Sequence, residues 1–264
     1  LDSKILDDRS LIVGPLYANQ FNKLANKYGL DTNRRLVSPL SYKNVIKNYG
    51  NTFQFVPSSN VQIDTIVDLI AKKYTSENLL IIGNEQEMGL VKKFKSSLSL
   101  NTHIKYKSYT VSEALPEKEI IKKNLDKSEN IVVVASNNRA FVSRVIPILA
   151  SMEDTFFTVY GLDSWNRISS LDELELNLLN VHYPSVFFQD NNLLFNSFRD
   201  NFYHRFKEYP SKYSYAAYKQ FLFLIADGFE ELYNFQKVSN NKGWINTRFP
   251  VVFIQDYKQQ IYKQ

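Results

Sequence analysis

The chain has 264 residues, a net charge of +5, and 22% charged and 44% hydrophobic residues, a globular composition with length for one large domain or two smaller lobes. It contains no cysteine, which excludes disulfides, thiol catalysis and zinc–thiolate sites. Eight glycines leave no glycine-rich phosphate loop. No apolar run approaches the roughly 18 residues of a membrane helix, and the lysines are scattered among acidic residues, as on a solvated surface rather than a nucleic-acid footprint.

Short apolar runs recur between amphipathic stretches. Leu11-Ile12-Val13, Leu36-Val37 and Phe53-Gln54-Phe55-Val56 come first, then Leu79-Leu80-Ile81-Ile82. Ile131 to Val134, Phe156 to Tyr160 and Val251 to Ile254 follow. Several are uninterrupted β-branched or aliphatic blocks, which is how a strand buried on both faces reads. Between them lie helical stripes: Val61, Thr65, Ile66, Leu69, Ile70 and Tyr74; Met88, Val91, Phe94 and Leu98; Phe141, Val145, Ile148 and Leu149. Strand alternating with helix predicts an α/β fold with parallel sheets and right-handed crossovers.

The last third changes character. Phe195, Phe198, Phe202 and Phe206 repeat at helical spacing, Pro210-Ser211 interrupts, and Tyr218, Phe221, Leu222, Ile225, Phe229 and Leu232 resume. Two amphipathic helices are expected, with their aromatic stripes in the core. Ser239 to Gly243 reads as a loop, followed by a final strand and an exposed Lys/Gln tail. Two extended passages, near Pro57 to Asn60 and Val181 to Pro184, suggest two α/β lobes with a cleft between them. Residues 1–57 and 185–250 would form the first lobe, residues 58–184 the second, and residues 251–264 the terminal strand and tail.

Several segments together resemble the type I periplasmic binding protein family, that of the leucine-binding proteins. They are Ile12-Val13-Gly14-Pro15-Leu16-Tyr17, Arg35 to Ser41, Phe53 to Ser58 with Gln62, and Leu80 to Asn84 with Met88-Gly89. Val159 to Trp165, Asn180 to Pro184, and Tyr209-Pro210-Ser211 with Tyr215 to Tyr218 complete the order. The Tyr-Gly-Leu-Asp-Ser-Trp and Val-His-Tyr-Pro-Ser pieces are most similar to a branch from Bacteroidetes envelopes, often preceded by peptidoglycan-binding LysM repeats. The resemblance implies two Rossmann-like lobes joined by hinge crossovers and a place in the periplasm or at the outer membrane. It also implies that a strand, a helix and a second strand, roughly 50–70 residues, precede Leu1, leaving the first sheet here without central strands.

In open α/β sheets, ligands sit beyond the carboxyl ends of the strands, where helix N-termini and loop side chains are exposed. From the first lobe this points to Tyr17, Ala18, Ser38, Ser41 and Tyr42; from the second, to Asn84, Met88, Ser136, Asn137, Asn138, Asp163, Ser164 and Trp165. The resemblance implies that Ser41 holds a ligand carboxylate and that Asp163 pairs with a ligand ammonium across the cleft. Ala18 stands where many members carry a hydroxyl. Asp163 reads equally as a helix cap or turn residue. Asn137 and Asn138 also suit a turn, and Trp165 suits either ligand stacking or hinge closure.

Nothing in the sequence demands catalysis. There is no Gly-x-Ser-x-Gly elbow, and the three histidines are apart: His103 in a polar loop, His182 beside the expected hinge, His204 on the outer side of an aromatic helix. The acidic group Asp172, Glu173 and Glu175 reads as a solvent face. No metal constellation and no cofactor is expected. The reading is a non-catalytic module for a small polar ligand, an amino acid or peptide-like, with no nucleic acid. The alternative is a pocketless scaffold for envelope proteins, as Lpo-type activators in the family are; peptidoglycan could be engaged by a segment upstream of Leu1. An effector domain of a transcription regulator is a third reading, but no helix-turn-helix precedes the fold.

Overall fold

A computed structural model describes residues 6–45, 49–74, 78–100, 104–111, 118–125, 129–152, 155–226, 228–238 and 243–262. His103 and most of the Ser239 to Gly243 loop lie outside these residues. The chain divides into two compact units. One comprises Leu1–Ser58 and Val186–Phe249; the other comprises Ser59–Ser185 and Pro250–Gln264. The terminal strand and tail, expected as a separate segment, therefore belong to the second unit.

The first unit opens with β1 (Leu11–Val13), α1 (Ala18–Tyr28), β2 (Arg35–Ser38) and β3 (Thr52–Gln54). Phe21, Leu24, Ala25 and Tyr28 recur at helical spacing on α1 and are all buried. The chain then builds the second unit: α2 (Ser59–Lys73), β4 (Asn78–Asn84), α3 (Met88–Leu100), β5 (Tyr106–Val111), α4 (Lys118–Lys123) and β6 (Glu129–Ala135). It continues through α5 (Arg139–Ala150), β7 (Phe156–Tyr160), α6 (Glu173–Leu178) and β8 (Val181–Pro184). Back in the first unit come α7 (Leu193–Phe206), α8 (Lys212–Ile225), β9 (Phe235–Lys237) and β10 (Trp244–Asn246). The hairpin of β11 (Val251–Gln255) and β12 (Lys258–Ile261) closes the second unit.

The second unit's sheet runs β12-β11-β8-β7-β6-β4-β5. Its five strands from β5 to β8 are parallel, and β11 is antiparallel to both neighbours. Leu79, Ile81, Ile131 and Val133 pack with Ile63, Ile66 and Ile70 of α2 and Phe94 of α3. The alternate residues Leu80, Ile82, Val132 and Val134 are just as buried, which is why these runs are apolar without interruption. Each such side chain contributes about 1.5–3 kcal/mol by leaving water.

The first unit's sheet runs β1-β2-β3-β10-β9, parallel from β1 to β10, with β9 antiparallel. Its ladder is continuous, and β1 forms one edge, pairing only with β2 among the described strands.

Four further expectations are corrected. Val181 to Pro184 is not an extended passage but a fully buried strand between β7 and β11. The chain leaves the unit one residue later, after Ser185. The aromatic stripe of α7 is not core, because no side chain of that helix is fully buried. Its rings pack sideways on α8, with Phe198 stacked on Tyr218 at 4.5 Å and Phe195 edge-on to Tyr215 at 4.9 Å. Helix α8 ends at Ile225, so Phe229 and Leu232 lie beyond it. The Lys/Gln tail is strand β12, because pairing with β11 satisfies its main chain.

Candidate functional site

In the second unit, the carboxyl ends of β4, β6 and β7 are tied together by side chains. Asn84 ends β4 and caps the short 3₁₀ turn Glu85–Glu87, its Oδ1 accepting the Gln86 N–H at 3.0 Å. The turn projects Glu87 toward the end of β6. There the carboxylate accepts the Ser136 hydroxyl and the main-chain N–H groups of Asn137 at 3.1 Å and Asn138 at 3.2 Å. Ser136 Oγ in turn accepts the Asn138 N–H at 3.0 Å. Asn138 caps α5 through the Phe141 N–H at 3.1 Å. Glu87 therefore sits where a helix N-terminus and a run of free N–H groups attract an anion. It is half-buried, beside exposed Glu85 and half-buried Met88.

The end of β7 joins the same cluster. Gly161 leads into the 3₁₀ turn Asp163–Arg167. Trp165 is buried in it and points its indole N–H at the Ser136 carbonyl, at 3.4 Å. Asp163 is also buried. Its carboxylate takes Arg167 at 3.1 Å and the Asn166 amide at 3.4 Å, and its main-chain N–H donates to Gln62 Oε1 at 3.3 Å. The Asp163 side chain is 3% exposed against 42% for Arg167, so the carboxylate is held inward and the guanidinium faces water.

In the first unit, Tyr17 precedes α1 and is 70% exposed; its carbonyl accepts the Phe21 N–H at 2.9 Å. Ala18 opens the helix and offers no hydroxyl. Ser38 ends β2, and its fully buried hydroxyl has no hydrogen-bond partner among the described residues. Ser41 is buried, with its hydroxyl donated to the Lys43 carbonyl at 3.2 Å. Tyr42 is half-buried, edge-on to Phe187 at 6.2 Å. Two glutamines hold this loop. Gln54 donates to the carbonyls of Ser41 at 2.9 Å and Val56 at 2.8 Å and accepts the Val45 N–H at 3.2 Å. Gln220 of α8 donates to the Pro39 carbonyl at 3.0 Å.

The structure thus gathers Met88, Asn137, Asn138, Trp165 and Asp163 at one end of the second unit's sheet, and Tyr17, Ala18, Ser38, Ser41 and Tyr42 at the corresponding strand ends of the first. Glu87, Gln54 and Gln220 were not anticipated. No group of three or more His, Asp or Glu side chains positioned for a metal exists among the described residues. His182 is buried between rings, and Asp172 caps α6 through the Leu174 N–H at 2.7 Å. No helix among the described residues is long and apolar enough to cross a membrane.

Neither a family model nor a curated protein matches the sequence. Solved structures do match. An ABC transporter substrate-binding protein from Desulfitobacterium hafniense in complex with Leu is 13% identical, with a TM-score of 0.61 over 96% of this chain and 80% of that one. A branched-chain amino acid ABC transporter periplasmic ligand-binding protein from Burkholderia xenovorans is 12% identical, with a TM-score of 0.66 over 98% of this chain and 78% of that one. LpoA from Haemophilus influenzae is 11% identical, with a TM-score of 0.60 over 98% of this chain and 49% of that one. At these identities the likeness carries the architecture. The two α/β units, their mostly parallel sheets and their strand-end loops are those of the type I periplasmic binding protein fold.

Proposed function

We propose that this chain is a non-catalytic solute-binding domain of a bacterial cell envelope, in the periplasm or at the outer membrane. Its ligand is a small polar molecule, an amino acid or peptide-like, recognised by residues at the carboxyl ends of the strands. The observation that carries the reading is Glu87: a half-buried carboxylate held rigidly by Ser136, Asn137 and Asn138 where three strand ends converge. A preorganised carboxylate with one oxygen lightly engaged suits a ligand ammonium. Asp163, more deeply buried and paired with Arg167, steadies that end of the sheet. On the first unit, Tyr17, Ser41 and Tyr42 are the contacts, with buried Ser38 beneath them; Trp165 is buried at the strand ends of the second.

The test is a thermal-shift and calorimetric screen of amino acids and muropeptides against the wild type, Glu87→Gln, Asp163→Asn and Ser41→Ala. Binding that Glu87→Gln removes supports the reading; a melting temperature unmoved by every compound overturns it. A second reading, a pocketless scaffold for envelope proteins or peptidoglycan machinery, draws support from two features. Ala18 offers no hydroxyl, and the rings of α7 are only half covered. Capture of a defined cell-wall synthase by the wild type, lost when Phe206 and Tyr209 become serine, would favour it.

A further inference from the structure

Along α7, Arg199, Tyr203 and Lys207 follow one another at four-residue spacing, with Asp200 and His204 beside them. This stripe is distinct from the Phe198, Phe202 and Phe206 stripe that packs on α8 and on itself. Lys207 ends the helix in the left-handed region, φ 59 and ψ 22. The reversal brings Tyr209 back onto Tyr203, their rings stacked at 5.0 Å and 25°. These six residues line a shallow depression of about 510 Å³. Arg199 and Asp200 pair across its wall at 2.9 Å. Tyr203 and Tyr209 are 45% and 74% exposed.

We infer that this depression is a saccharide-binding site, separate from the strand-end site and independent of the reading given for it. Stacking on Tyr203 fixes the Tyr209 ring, whose exposed outer face is a flat apolar surface of the kind that covers the C–H face of a sugar ring. Around it stand donors (Arg199, His204, Lys207) and acceptors (Asp200 and the phenol oxygens). Hydroxyl groups both donate and accept, and need both. A phosphate site would not include the Asp200 carboxylate, and an apolar ligand would leave four polar side chains unused. Two fixed cations against one carboxylate favour a saccharide bearing an acidic substituent. The open form suits an extended chain passing over the surface rather than a small molecule enclosed by it. Lys207 adds a separate argument. Glycine is the residue that closes a helix in this conformation without strain; a lysine there carries a conformational penalty and sets its ammonium on the rim.

Lys207→Gly therefore separates binding from folding, because it removes the ammonium while relieving the backbone. The full chain is titrated by calorimetry with chitohexaose, cellohexaose and an oligo-uronate of the same length, with inorganic phosphate as control. Expected are binding of at least one oligosaccharide, the uronate most tightly, and a weakening of about tenfold or more in Tyr209→Ala and Lys207→Gly. Lys207→Gly should melt at or above the wild-type temperature. Absence of binding by all three oligosaccharides overturns the inference, as does binding that both variants retain. Phosphate binding with the same dependence on Lys207 and Tyr209 would overturn the saccharide assignment.

Discussion

Glu87 and Ser136, 49 residues apart, meet at the strand ends of the second unit, where the carboxylate accepts the serine hydroxyl and the two N–H groups that follow it. The protein thus supplies its own anion to the N-terminus of α5. Glu87→Ala should lower stability by about 2 kcal/mol, because a buried hydroxyl and the two N–H groups leading into α5 lose their acceptor. Acetate or sulfate should restore part of the loss by occupying the vacated position. Urea denaturation with and without these salts measures both effects; equal salt responses in variant and wild type would refute the rescue.

Gly161 and Trp165 define a second sensitive point. A Cβ at position 161 would lie 2.5 Å from the indole ring atoms. Gly161→Ala should push the indole away from the Ser136 carbonyl at a cost of about 1–3 kcal/mol. A changed tryptophan emission together with a lower urea midpoint is the expected pair of signals.

The Ser38 hydroxyl is buried without a partner among the described residues. Its removal should therefore do no harm. Ser38→Ala is expected to be neutral or to stabilise by about 1 kcal/mol, read as a raised urea midpoint at an unchanged slope. A clear loss of stability would show that the hydroxyl is bonded after all.

His182 gives stability a specific pH dependence. Burial holds its pKa down at about 4, against an ordinary 6.5. The ring contacts Tyr160, Phe253 and Tyr262 and shares its Nδ1 with the Asn180 carbonyl at 2.8 Å. Lys73 also opposes a positive charge there. Below pH 6.5 the unfolded chain takes up a proton that the folded chain refuses until about pH 4. The contribution is therefore fully present above pH 6.5 and is lost as the pH falls to about 4, by roughly 3 kcal/mol. His182→Asn should flatten that part of the stability–pH curve relative to the wild type; parallel curves would contradict the assignment.

Strands β4 and β6 were legible because burial on both faces leaves an unbroken aliphatic run. Strand β5, Tyr-Lys-Ser-Tyr-Thr-Val at the sheet edge, was not, since an edge tolerates polar residues. Strand β8 was misread as a passage because histidine and proline look like a turn locally. Its burial is decided by Phe253 and Tyr262, about 70 to 80 residues further on. For α7 the helical spacing was correct, but spacing does not say how much apolar surface the remainder of the unit covers.

The strand-end residues followed from topology, because each lies just after a strand. Glu87 had a local signal: Asn84 with a glutamate three residues on is the pattern of a capping box. Its actual partners, Ser136 to Asn138, belong to another strand, and that pairing exists only once β4 and β6 are adjacent. The inward turn of Asp163 toward Arg167 is equally conformational, set by a 3₁₀ turn the sequence does not announce.

The late return of Pro250–Gln264 to the second unit bears on how this protein can be dissected. A gene fragment encoding residues 59–185 would strip β11 from β8, baring a hydrogen-bonding edge and taking Phe253 and Tyr262 away from His182. Such an excised piece invites edge-to-edge aggregation; joining residue 185 directly to residue 250, whose main chains already meet at 2.9 Å, is the truncation that keeps the sheet whole.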